Sequence, residues 1–72
     1  MKEFIQKIQS HLDLHKSIMP SEFVMDHDEM DSLMAVDLEV FLEDEYHLEL
    51  QNSAELLQKI TWEQLYNLTI SK

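Results

Sequence analysis

The side chains able to do chemistry crowd into one stretch of this 72-residue chain, Asp26-His27-Asp28-Glu29-Met30-Asp31-Ser32, with His11 and His15 upstream. The acids suggest a cation loop. A calcium loop opening at Asp26 would need an oxygen ligand at its fifth position, glycine at its sixth and glutamate at its twelfth. It finds Met30, Asp31 and Asp37, and so fails. His11 and His15, four residues apart on a helix, could share a zinc ion, but no third ligand is placed beside them. Ser32 as a hydrolytic nucleophile would need a base and a strained, glycine-flanked turn, and the chain contains no glycine. Ser32 is left with two readings: a helix-starting residue, or a point of attachment.

Composition narrows the classes. One small core is the ceiling at this length. No cysteine is present, which excludes disulfides and thiolate metal sites and suits a reducing compartment. The first ten residues, MKEFIQKIQS, hold no apolar signal region, and no run approaches the roughly 20 apolar residues of a membrane span. A soluble, cytoplasmic, monomeric protein is expected. Net charge is −10, and between Lys16 and Lys59 twelve acids fall without one lysine or arginine. Such a chain repels nucleic acid and anionic membranes and attracts basic protein surfaces.

The elements that position these residues read as helical. Without glycine, and with Pro20 as the single proline, a turn-rich β fold is disfavoured, while Leu, Met, Glu, Gln and Lys favour helix. The spacing predicts an all-α domain over 1–72, a small bundle of three longer helices plus one short helix. Ile5, Ile8 and Leu12, beside Phe4, define a first amphipathic helix over about 2–15. A long connection over 17–31 follows, with Phe23, Val24 and Met25 expected against the core. A second helix runs from Ser32 to about Tyr46, capped by Asp31. A short third covers about 53–59, with Asn52 as cap and Glu55 reaching back to it. The fourth, about 62–70, opens on a Thr61-Trp62-Glu63-Gln64 capping box flanked by Ile60 and Leu65. Leu65, Leu68 and Trp62 of this helix should face inward.

The second helix has two apolar faces. At 100° per residue, Ala35, Leu38, Phe41, Leu42 and Tyr46 share one arc, which should be core. Leu33, Val36 and Val40 share another, framed by Asp37, Glu39, Glu43 and Asp44. This second stripe is either an exposed contact surface, as apolar groups rimmed by charge usually are, or is packed beneath the long connection. A partner docking there should bring basic and apolar groups together. Glu45 falls inside the core arc, where periodicity gives it no role.

Residues 30 to 50, MDSLMAVDLEVFLEDEYHLEL, resemble the acyl carrier proteins of fatty-acid and polyketide synthesis. The likeness rests on Asp31-Ser32-Leu33, on Val36-Asp37-Leu38 and on Glu43-Asp44-Glu45-Tyr46. It extends more weakly over the whole chain, through the first helix, the Phe23-Val24 pair, the short third helix and the Thr61 start of the fourth. The resemblance implies that Ser32 carries 4'-phosphopantetheine, installed from coenzyme A by a phosphopantetheinyl transferase. Asp31 and Leu33 would flank the arm. The protein would have no catalysis of its own. Acyl groups would ride on the arm's thiol, loaded by an acyltransferase or acyl ligase and presented to a ketosynthase or other synthase. Leu33, Val36, Asp37, Val40, Glu43 and Asp44 would form the partner surface.

The chain also departs from that pattern. Asp28-Glu29-Met30 stands where the family usually has Leu-Gly before the Asp-Ser. Glu39 stands in place of an apolar residue and Phe41 in place of a small one, changes expected to reshape any internal acyl cavity. Two other readings remain beside it: a D-alanyl or peptidyl type of carrier, and an acidic interaction module that mimics nucleic acid or inhibits a basic protein.

Overall fold

A computed structural model describes residues 1–50 and 53–71 of the chain. It is an all-α fold, with no strand among the described residues. Four helices follow in order: α1 (Lys2–Leu12), α2 (Ser32–Tyr46), α3 (Ser53–Lys59) and α4 (Trp62–Ile70). A 3-10 turn, Val24–Asp26, interrupts the connection between α1 and α2.

Helix α1 is amphipathic as its spacing predicts, and Phe4, Ile8 and Leu12 are buried. It stops at Leu12, however, three residues short of the expected end. Asp13 takes a left-handed conformation (φ 55°, ψ 44°), and the N–H groups of Asp13 and Leu14 both donate to the Gln9 carbonyl. This is a helix-ending turn normally given to glycine or asparagine. Its effect is to bury Leu14. Continued as helix, Leu14 would sit about 200° around from Leu12 and face water. Burial of one leucine, worth about 2 kcal/mol, outweighs less than one further turn of exposed helix.

Helix α2 ends the same way. His47 is left-handed (φ 54°), and Leu48 donates to the Leu42 carbonyl. Leu48 then folds back against the core. A chain without glycine thus closes two helices with Asp13 and His47 in the position glycine favours.

The core gathers Ile8, Val24, Leu38, Leu42, Leu57, Trp62 and Leu65, each fully buried. Helix α4 carries the predicted capping box: Gln64 N–H donates to Thr61 Oγ1, while Thr61 N–H donates to Gln64 Oε1. Ile60 and Leu65, on either side of the box, are both buried. The expected Asn52 cap of α3 lies outside the described residues.

The connection between α1 and α2 is pinned to the segment joining α3 to α4. Val24 N–H donates to the Ile60 carbonyl, Trp62 N–H to Glu22 and Glu63 N–H to Pro20. This arrangement buries Ile18, Val24 and Met30 and half-buries Met25. Two expectations are corrected here. Phe23, in an extended bridge with Thr61, remains 45 % exposed, since adjacent residues of extended chain face opposite ways and Val24 takes the inner side. Leu68 is 37 % exposed, because Trp62 and Leu65 already fill the inner face of the short α4.

Candidate functional site

The site is built on the first turn of α2. Asp31, in extended conformation, caps the helix by accepting the Met34 N–H at 2.9 Å. Its carbonyl accepts the Ala35 N–H. The N–H groups of Ser32 and Leu33 therefore start the helix with no acceptor within it. Ser32 is exposed. Its hydroxyl has no hydrogen-bond partner among the described residues.

The two faces of α2 divide as their angular positions predict. Leu38, Phe41 and Leu42 are buried, and Met34, Ala35 and Tyr46 pack against the core from its edge. On the other side Leu33, Val36 and Val40 are 77 %, 55 % and 50 % exposed. The long connection does not cover them. Asp37, Glu43 and Asp44 are exposed around this stripe. Glu45 has a role that periodicity could not show: its carboxylate meets Lys7 of α1 at 3.4 Å, and the pairing holds the Lys7 ammonium above its ordinary pKa. This contact lies on the seam between α1 and α2, beside Phe4 and Tyr46, whose rings are 5.7 Å apart.

The residues before Ser32 form an anchor rather than a reactive centre. The Glu29 carboxylate accepts the backbone N–H groups of His15 and Lys16, at 2.7 to 3.1 Å. Those bonds hold its pKa below the ordinary 4.5. Lys16 Nζ meets Asp28 at 2.7 Å, which lowers the Asp28 pKa and raises that of Lys16. His27 is buried between these groups. Its Nδ1 accepts the Glu29 N–H, so its proton resides on Nε2, which donates to the Lys16 carbonyl at 3.2 Å. Both ring nitrogens are engaged, so His27 is not a base for Ser32.

The metal readings fare no better. His11 packs its ring on Phe41 at 4.9 Å, and His15 lies 4.0 Å from Asp13. Among the described residues no group of three metal-ligating side chains converges.

The anchor has an acid-sensitive component whose sign follows from Glu29. Its folded pKa is depressed, so the stabilisation is complete above about pH 4.5 and is lost as pH falls through the lower folded value. Thermal unfolding recorded from about pH 6 to about pH 3 should show Glu29→Gln losing stability less steeply than wild type on the acid side. Parallel profiles would mean that the carboxylate does not anchor the connection.

Beside Ser32 lies a cleft of about 240 Å³ between α2 and α3. Ser32, Ala35, Val36 and Glu39 line it from α2. Ala54, Leu57 and Gln58 line it from α3, and Met25 closes it from the 3-10 turn. The wall is mostly apolar, with Glu39 its one carboxylate. Helical spacing alone did not reveal this feature, because it depends on where α3 lands. The available signal was the pair of alanines, Ala35 and Ala54, small residues that leave room where the helices face each other.

Of the residues singled out in the sequence, Asp31, Ser32, Leu33, Val36, Asp37, Val40, Glu43 and Asp44 all lie on α2 or its cap, exposed along one side. No family model, no curated protein and no solved structure matches this chain.

Proposed function

We propose that this protein is a carrier of acyl groups, held as thioesters on a 4'-phosphopantetheine arm at Ser32 and delivered to partner enzymes. The observation that carries the reading is Ser32 itself. Its hydroxyl is exposed and unpartnered, has no base beside it, and stands between an apolar cleft and an exposed apolar stripe rimmed by acids. A nucleophilic enzyme would need an activated serine, whereas an attachment point needs only access.

The residues present fit such a group. The free N–H groups of Ser32 and Leu33 and the positive end of α2 suit a phosphodiester. Asp31 opposes it by like charge, although its carboxylate is already engaged with the Met34 N–H. During attachment, Ser32 Oγ attacks the pantetheine-bearing phosphorus of coenzyme A. The Oγ–P bond forms as the pyrophosphate P–O bond breaks, adenosine 3',5'-bisphosphate departs, and the hydroxyl proton passes to a base of the transferase. The arm supplies the thiol that this cysteine-free chain lacks. The rest of the chain orients and recognises: Leu33, Val36 and Val40 offer apolar contact, while Asp37, Glu43 and Asp44 meet basic groups of a transferase, an acyltransferase or ligase, or a synthase.

Incubation with coenzyme A, Mg²⁺ and a promiscuous phosphopantetheinyl transferase tests this directly. Intact mass should rise by one phosphopantetheine in the wild type and not at all in Ser32→Ala. A wild-type chain that gains nothing ends the carrier reading and leaves the acidic interaction module.

A further inference from the structure

We propose that the cleft between α2 and α3 selects a short acyl cargo ending in a cationic amine, with Glu39 as the group that recognises it. The inference rests on the carrier reading and concerns what the carrier holds.

Glu39 sits on α2, two turns beyond Ser32, and its side chain lines the cleft that Ser32 borders. The residue is half-buried, and its carboxylate has no hydrogen bond or ion pair among the described residues. Glu29, Asp31 and Glu45 each hold a named partner, and Asp37, Glu43 and Asp44, which hold none, are exposed, so Glu39 is set apart by being both unpartnered and half-buried against the cleft. Around Glu39 the cleft offers Ala35, Val36, Leu57 and Met25. A cation entering the cleft would meet this unpartnered carboxylate beside apolar walls, where attraction between charges is screened less than in open water. Gln58 on the facing wall supplies a second polar contact.

The same cleft limits the length of what enters. At about 30 Å³ for each water-sized group, a volume of about 240 Å³ holds roughly eight heavy atoms. That matches an aminoacyl chain of a few carbons, whereas a long fatty chain would extend beyond the cleft. A group carried on an arm at Ser32 stays within the arm's reach of the cleft, so a weak ion pair is favoured by an effective concentration on the order of millimolar. Apolar cargo of equal length fills the same walls but leaves Glu39 unpaired.

The test uses stable cargo on the intact protein. A promiscuous transferase loads Ser32 from coenzyme A analogues in which an amine replaces the thiol and carries butanoyl, 4-hydroxybutanoyl or 4-aminobutanoyl. Backbone amide NMR shifts and thermal unfolding are then read for each form. The aminobutanoyl form should shift the amides of Ala35, Val36 and Leu57 most, and should unfold about 4 °C or more above the butanoyl form. Glu39→Gln should abolish that difference, and Glu39→Leu should reverse it in favour of butanoyl. Glu39 is not in the core, so both variants should fold. Identical shifts and midpoints for all three cargos overturn the inference while leaving the carrier intact. So does a hydroxybutanoyl form that equals the aminobutanoyl one, or a preference that survives in Glu39→Gln. Failure of every analogue to load, seen by mass, overturns the carrier reading and this inference with it.

Discussion

Leu42→Ala is expected to cost about 2–5 kcal/mol of stability, and Val36→Ala, six residues earlier on the same helix, less than about 0.5 kcal/mol. Leu42 is fully buried, in the same cluster as Ile8, Leu38 and Trp62. Truncating it removes several methyl and methylene contacts and opens a cavity that the surrounding helices cannot collapse into completely. A domain of this size has about 4–11 kcal/mol to lose, so the variant should sit near the edge of unfolding at physiological temperature. Val36 is 55 % exposed and leaves no comparable void. Urea denaturation measures both, with unchanged slopes and a displaced midpoint for Leu42→Ala alone. Equal losses at the two positions would mean that the outer stripe of α2 is structural, and a docking role for it would then be unnecessary.

Charge reversal on the outer stripe should act on recognition instead. Asp37→Lys combined with Glu43→Lys is expected to lower kcat/KM for phosphopantetheine transfer by about tenfold or more at low salt. Both acids are exposed, and no lysine or arginine follows until Lys59. Their contribution is therefore to the rate of encounter with a basic partner, and it should shrink as salt screens it. Wild type and variant should converge near 1 M salt, where the screening length is about 3 Å. Glu3→Lys combined with Glu63→Lys, reversals at exposed positions of α1 and α4 that change net charge by the same amount, serves as the control for net charge. If that pair slows transfer as much as the α2 pair does, the acids act through the overall charge of the protein, and the stripe has no special place.

Much of this architecture was legible because the informative residues obey helical spacing. The division of α2 into a buried face around Leu38 and Leu42 and an open face at Leu33, Val36 and Val40 follows from angle alone. The Asp31 cap and the Thr61 to Gln64 capping box are local, so their residue types suffice to reveal them. Expectations failed where tertiary geometry decides. The end of α1 depends on Asp13 turning left-handed so that Leu14 can reach the core, and nothing in the run of residues marks that turn without glycine. Phe23 looks like core material, but it alternates with Val24 in an extended segment and only one of them can point inward. Glu45 falls on the core arc because its partner, Lys7, is 38 residues away in sequence. The cleft beside Ser32 needs two helices to exist at all, and Glu39 could be recognised only as a departure from an apolar pattern.

The two amides bonded to Glu29 belong to His15 and Lys16, just past the end of α1, yet their acceptor lies three residues before Ser32. Hydrogen exchange at those positions requires the connection to detach, so their protection factors time the local opening that frees the start of α2. A probe placed about fifteen residues upstream thus reports how firmly Ser32 is presented, without a label anywhere near it.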